Sequence, residues 1–235
     1  MTSVPAPVLL SRGPRTPAVM FFSSFFGRSG IGEYARLAQG FRGVREVSAI
    51  PEPGFARGEP LPATIDALIS VHAEIVLRSV GDHPVVLAGH SSGGMVAHAV
   101  AARLASAGIM PAGLVLIDTF SPEPGSLSGD QWSALVNAML DNSRADDGGD
   151  EAWITAMLHY FAFDWTSMER TGTPTFLVRA ADSLGGPAPK DSGSGRPWEF
   201  SSDVTTVDVP GDHFTMLGDH AGTTAQAINQ WLAGL

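Results

Sequence analysis

Val85-Val86-Leu87-Ala88-Gly89-His90-Ser91-Ser92-Gly93, residues 85 to 93, decides how the rest of the chain is read. Four apolar residues of buried-strand character, Val85 to Ala88, end at Gly89. The pattern G-x-S-x-G over Gly89 to Gly93 then leads into helical spacing, with Met95, Val96, Ala99, Val100 and Leu104 on one face of a helix from about Ser92 to Ala107 and Gly108 as its stop. Strand, tight turn and helix together present a serine hydroxyl above the carboxyl edge of a sheet. The turn strains the serine backbone and crowds the positions two before and two after it, which is why they take glycine. The helix adds free amides and a positive dipole end that face any negative charge developing on a reacting oxygen. In a chain with 27 Gly the five residues alone are weak, and the flanking strand and helix are what separate them from a glycine-rich turn without chemistry.

Outward from this motif the chain alternates strand-length apolar runs with helical stripes, the pattern of an α/β protein with a mostly parallel sheet. Before it come a weak edge strand at Val4 to Leu10, a stronger strand at Ala18 to Phe22, a short helix around Glu33 to Phe41 and a strand at Val44 to Ala49. Pro51 to Pro62 reads as loop, and Ile65, Leu68, Ile69, His72, Ile75 and Val76 form a helical stripe that should pack on a sheet face. After it come a buried strand at Leu114 to Ile117, strands at Thr175 to Arg179 and Val204 to Val209, and a helix from about Thr223 to Leu232. From Phe120 to about Gly172 the strand rhythm is lost. Two helical stretches near Gln131 to Leu140 and Glu151 to Phe161, separated by the acidic loop Arg144 to Asp150, read as an insertion over the sheet. No repeat or long linker divides the chain, so residues 1–235 are expected to form one domain.

Composition narrows the chemistry. The 235 residues are 44% hydrophobic and 16% charged, too apolar for a disordered chain, and 14 Lys plus Arg against 24 Asp plus Glu leave a net charge of −10. That acidic total, with no basic run, argues against nucleic-acid binding, and no window reaches the roughly 18 consecutive apolar residues of a membrane span. Cysteine is absent, which excludes disulfides, thiolate metal sites and a cysteine nucleophile, so covalent catalysis must use oxygen or nitrogen. The amino terminus carries no secretory pattern, and a cytoplasmic protein is expected.

A serine nucleophile needs a base, and of the seven His the best placed is His213, in Val209-Pro210-Gly211-Asp212-His213-Phe214-Thr215-Met216 directly after the last strand. A loop leaving that sheet edge can carry an imidazole to the nucleophile. His220 is the lesser candidate. His90 reads as a packing residue because neighbours on a tight turn diverge, and His159, in the insertion, could line a pocket. Two aspartates end strands and could orient the imidazole, Asp118 after Leu114 to Ile117 and Asp182 after Thr175 to Arg179. Spacing does not choose between them.

Four stretches taken together carry a resemblance: Phe55-Ala56-Arg57-Gly58-Glu59-Pro60-Leu61-Pro62, Ala88-Gly89-His90-Ser91-Ser92-Gly93, Val115-Leu116-Ile117-Asp118 and Val209 to Met216. In this order they resemble the thioesterase domains at the ends of modular polyketide synthases, nearly end to end. The resemblance implies an α/β-hydrolase fold with a helical lid over about 120–172. Most α/β-hydrolases place the acid after the later strand, which favours Asp182; synthase thioesterases place it after the strand that follows the elbow helix, which maps to Asp118, 27 positions after Ser91. The resemblance therefore implies a triad of Ser91, His213 and Asp118, with the backbone amides of Ser92 and Phe25 as oxyanion donors. This chain departs from its relatives in the bulk of Phe25 and Phe26, where small residues are usual.

The implied reaction moves an acyl chain from the phosphopantetheine arm of an acyl carrier protein to Ser91. Water or a hydroxyl of the chain itself then releases it as an acid or a macrolactone, with no metal or diffusible cofactor. Phe26, Trp132, Met139, Tyr160 and Phe163 are the candidate substrate contacts, as apolar surface for a long chain. The same serine, histidine and acid would serve a free-standing editing thioesterase or an acyl esterase, and a noncatalytic carrier-binding module is the alternative of another class. Relatives carry helices ahead of the first strand that form a dimer interface; here strand-like sequence begins within a few residues of Met1, so those helices are not expected and a homodimer stays open. Residues 1–62 hold seven Arg and four Glu, a charge of +3, while the remaining residues sum to −13. Arg28 and Arg36 are thus the candidates to receive an acidic carrier or its phosphate.

Overall fold

The computed structural model describes residues 6–25, 30–81, 83–122, 129–130, 133, 136–137, 151–182 and 203–235. Its strands are β1 (Val8–Ser11), β2 (Arg15–Phe22), β3 (Arg45–Ile50), β4 (Val85–His90), β5 (Gly113–Ile117), β6 (Thr175–Ala180) and β7 (Val204–Val209). They make a seven-stranded sheet in the order β1-β3-β2-β4-β5-β6-β7, parallel except for β1, which runs antiparallel to β3 at the edge. The helices are α1 (Ala35–Gln39), α2 (Ile65–Val80), α3 (Ser92–Ser106), α4 (Glu151–Phe161) and α5 (Ala221–Leu232). This is the α/β-hydrolase arrangement, with β4 central.

Alternation of side chains divides the core between the two faces of the sheet. Val85 and Leu87 of β4 point to one face, packed with Leu68, Ile75 and Val76 of α2 and Val96, Val100 and Leu104 of α3. Val86 and Ala88 point to the other, packed with Leu37 of α1 and Ala225, Ile228 and Leu232 of α5. Both faces are covered, which is why β4 and β5 read as unbroken apolar runs.

Three elements differ from the sequence reading. The edge strand is only Val8–Ser11, and Val8 and Leu9 keep 40% exposure because one side of β1 has no partner. β2 begins at Arg15, three residues early; its register against β3 shifts between Arg15 and Val19, and that irregularity admits Pro17, which has no amide for a ladder. The helix expected over Glu33 to Phe41 is a 3₁₀ turn, Gly30–Tyr34, followed by α1. The predicted helix near Gln131 to Leu140 and the acidic loop Arg144 to Asp150 lie largely or wholly outside the described residues.

The two glycines of the elbow are held by contact. A Cβ on Gly89 would lie 2.2 Å from the Gly93 carbonyl carbon, and one on Gly93 would lie 2.3 Å from the Phe22 carbonyl oxygen. Neither neighbour is a side chain that can turn aside. Gly93→Ala is expected to destabilise the fold by about 3 kcal/mol or more, read as a lower urea midpoint. Gly222→Ala in α5, where an added Cβ meets nothing within 4 Å, is the control and should be neutral or slightly stabilising.

Candidate active site

Strand order gathers the site at one sheet edge. β4 lies between β2 and β5, with Gly89 beside Phe22 and His90 beside Ile117, so the residues that follow these strands are neighbours in space. Ser91 follows β4, Asp118 follows β5, and the loop through Phe25 follows β2. The Ser91 amide donates to the Ile117 carbonyl at 2.9 Å, extending the β4–β5 pairing by one residue. Ser91 has φ 53° and ψ −127°, and Asp118 has φ 39°. Among the described residues these two are the non-glycine positions in the left-handed half of the map. Such strain persists only where the surroundings over-determine the backbone, and it gathers at functional sites.

The Asp118 carboxylate uses both oxygens. Oδ1 accepts the Ala180 amide of β6 at 3.0 Å, and Oδ2 lies 2.7 Å from His213 Nδ1. Burial alone would raise the Asp118 pKa, but the hydrogen bond and charge of His213 and the Ala180 amide outweigh it and hold the carboxyl below its ordinary range. His213 follows β7, two strands from β5 and so about 10 Å away across β6. Its loop bridges that gap through a tight turn in which Asp212 Oδ1 accepts the amides of Phe214 and Thr215 at 3.0 and 2.8 Å. Burial, followed by the charge of His90, depresses the His213 pKa against the opposing pull of Asp118, so the resting imidazole is neutral. With Nδ1–H directed at the carboxylate, Nε2 carries the lone pair.

The other candidates lie elsewhere. Asp182 is exposed at the end of β6, with its amide donating to Gly211. His220 occupies the N-cap of α5. His159 is part-buried, with Nε2 2.7 Å from the Pro62 carbonyl and its ring against Phe163.

The Phe25 amide reaches the elbow but is already engaged, donating to Ser92 Oγ at 3.1 Å, and the Ser92 and Ser24 hydroxyls are 2.9 Å apart. For this amide to meet an oxyanion, the Ser92 hydroxyl must turn away. The Phe25 ring is buried beneath α4, stacked on Tyr160 and Trp165 with centroids at 5.7 and 5.6 Å.

Tyr160 has no exposed surface, and its hydroxyl donates to the Pro53 carbonyl at 2.7 Å. Its position is that of a residue fastening α4 to the body, and a substrate would reach it only if α4 moved. Phe163 is half-buried beside Tyr160 and Trp165 and keeps free surface. Phe26, Trp132, Met139 and Arg28 lie outside the described residues. Arg36 is exposed and faces Asp219 at 3.4 Å, which answers part of its charge. A cleft of about 500 Å³ opens at the other end of the sheet, where β2 and β4 begin at Arg15 and Val85, and none of the candidate site residues lines it. Among the described residues, no group of three or more His, Asp or Glu side chains is placed to hold a metal ion, and no helix is long and apolar enough to cross a membrane.

Three residues to which sequence reasoning gave no role in the site join it. The buried Tyr34 hydroxyl donates to the Phe22 carbonyl at 2.6 Å and accepts the His90 amide at 3.0 Å, linking the ends of β2 and β4. Burial raises the Tyr34 pKa well above its ordinary value, with the neighbouring Glu33 charge adding to it, so the phenol keeps its proton. His90 is more than packing: Nε2 donates to the His213 backbone carbonyl at 2.8 Å. Glu33 Oε1 accepts the Ser24 amide at 2.7 Å. No motif spacing signals these links, because each joins separate segments of the chain.

Known proteins share this architecture over nearly the whole chain. The chain is 41% identical over 240 residues to the polyketide synthase GfsE of Streptomyces halstedii, a match covering 99% of this chain and 6% of that protein. It is 39% identical over 227 residues to the erythronolide synthase EryA3 of Saccharopolyspora erythraea, covering 96% of this chain and 7% of that protein. The chain thus spans less than a tenth of the length of these relatives. Among solved structures, a Vlm2 thioesterase domain with a bound dodecadepsipeptide superimposes with a TM-score of 0.72 at 25% identity, covering 95% of this chain and 96% of that one. A family model described as "Thioesterase domain" matches residues 22–232, and with this match over most of its length the chain belongs to the thioesterase domain family.

Proposed function

We propose that this protein releases polyketide chains from an acyl carrier protein, with Ser91 as nucleophile, His213 as base and Asp118 as the acid that orients it. The observation that carries this reading is the buried Asp118–His213 bond of 2.7 Å at the same sheet edge as the strained Ser91. Ser91 Oγ attacks the thioester carbonyl and passes its proton to His213 Nε2. The tetrahedral intermediate collapses, the C–S bond breaks, and His213 returns the proton to the departing thiol of the phosphopantetheine arm. His213 then activates the second oxygen, from water or from a hydroxyl of the chain, and Ser91 leaves the acyl carbon. The amides of Ser92 and Phe25 stabilise the oxyanion in both stages, once the Ser92 hydroxyl has turned from Phe25. Phe163, with Phe26, Trp132 and Met139 of the loop and lid, supplies apolar surface for the acyl chain. Arg36 and Arg28 receive the carrier, and an acyl-carrier donor places the reaction in the cytoplasm.

The test is mass analysis of the products from a hydroxylated long-chain acyl pantetheine thioester. A free acid identifies hydrolysis, a product lighter by one water identifies macrolactonisation, and either supports chain release. Turnover of short acyl thioesters with no gain from chain length would overturn chain release in favour of editing. The same assay against pH checks the base: because the His213 pKa lies below its ordinary value, kcat/KM should hold as pH falls through about 6.5 and decline only below it.

A further inference from the structure

One short turn, Gly30–Tyr34, contacts both the loop after β2 and the end of β4, and its carboxylate has no part in the triad. Glu33 is nearly buried, its side chain retaining 10% exposure. Oε1 holds the Ser24 amide at 2.7 Å, one residue before the Phe25 amide. Oε2 lies 3.8 Å from His90 Nδ1, and the opposite nitrogen of that ring, Nε2, lies 2.8 Å from the His213 carbonyl. A carbonyl only accepts, so Nε2 carries a proton. The His90 and His213 rings also pack together, with centroids 4.5 Å apart. A continuous path therefore runs from the oxyanion loop, through Glu33 and His90, to the backbone of the base.

We propose that Glu33 and His90 act as a positioning couple that sets the oxyanion loop and the His213 backbone in register with each other. The couple rests on the triad reading above, and it acts through other groups without touching substrate. Loops that leave β2 and β7 are joined to the body by separate turns, and their relative placement sets the distance between oxyanion donor and base. A misplacement of about 1 Å in such a constellation costs on the order of 100-fold in rate. The Glu33 carboxylate accepts the Ser24 amide through one hydrogen bond and faces the His90 imidazole at 3.8 Å, beyond hydrogen-bond reach, and a packed apolar side chain would supply neither contact.

The test compares Glu33→Ala, Glu33→Gln, His90→Leu and the double variant Glu33→Ala/His90→Leu. Each is followed by the rate of phosphonylation by a fluorophosphonate and by kcat and KM on an acyl pantetheine thioester. Glu33→Ala should lower both the phosphonylation rate and kcat by about 10- to 100-fold and leave KM unchanged. Glu33→Gln keeps an oxygen to accept the Ser24 amide and should restore much of that loss. The double variant should lose no more than the worse single variant. Independent, multiplicative losses would overturn the couple, as would wild-type kcat in Glu33→Ala or losses confined to KM. If Glu33→Ala does not fold, a Glu33→Gln enzyme as impaired as His90→Leu would also count against it. Wild-type protein that fails to react with the fluorophosphonate would reject the triad reading itself, a result distinct from all of these.

Discussion

Ser91→Ala is expected to abolish covalent labelling by a fluorophosphonate and to lower kcat/KM by about 10⁴- to 10⁶-fold, with the fold retained. The size of the loss follows from the chemistry. In the proposed mechanism the acyl-enzyme forms on this hydroxyl, and what would survive its removal is the background assistance of oxyanion donors and bound water. The fold should tolerate the change because alanine keeps the Cβ already accommodated at φ 53°. Intact-mass spectrometry after labelling checks it: an adduct persisting in Ser91→Ala would place the nucleophile elsewhere, and an unlabelled wild-type protein would favour a noncatalytic carrier-binding module.

Asp118→Asn is expected to lower kcat by about 10⁴-fold while leaving Asp182→Asn at wild-type activity. The hydrogen bonds set the outcome. In the wild type, Oδ1 accepts the Ala180 amide and Oδ2 receives His213 Nδ1–H. Asparagine would keep its oxygen on the Ala180 amide, since an amide nitrogen cannot accept, and would turn its NH₂ toward His213. The imidazole would then present the Nδ1 lone pair to that NH₂ and carry its proton on Nε2, the tautomer that cannot take a proton from Ser91. Asp182 is exposed and away from this network, so its loss should be silent. Steady-state kinetics of the two variants side by side decides it; inactivation by Asp182→Asn with turnover intact in Asp118→Asn would reverse the assignment.

Much of this protein was legible in its residues. Short continuous apolar runs and a period-3.6 stripe located β4, α3 and β5 to within two residues, because burial on both sheet faces leaves apolar runs with clear ends. The glycine requirement of the elbow was also legible, and the 2.2 and 2.3 Å approaches at Gly89 and Gly93 give its cause. Tyr160 and Phe25 show where this kind of reading stops. Their composition suits an acyl channel, but composition cannot tell a ring that lines a channel from one that packs a helix onto a sheet, and here both rings are enclosed.

The sequence by itself determined the strand and helix order, the serine at the end of β4 and the histidine after β7, since these depend on local pattern and turn chemistry. Only the tertiary structure decided which groups meet. Spacing left Asp118 and Asp182 equal, and resemblance favoured Asp118; in the fold the loop after β7 crosses the end of β6 and brings His213 to Asp118, 95 positions away in the chain. The same holds for His90 with His213, 123 positions apart, and for Tyr34 with the His90 amide, 56 apart. Such bonds depend on the lateral order of strands and the path of loops over them, and hydrophobic periodicity along one segment carries no record of either.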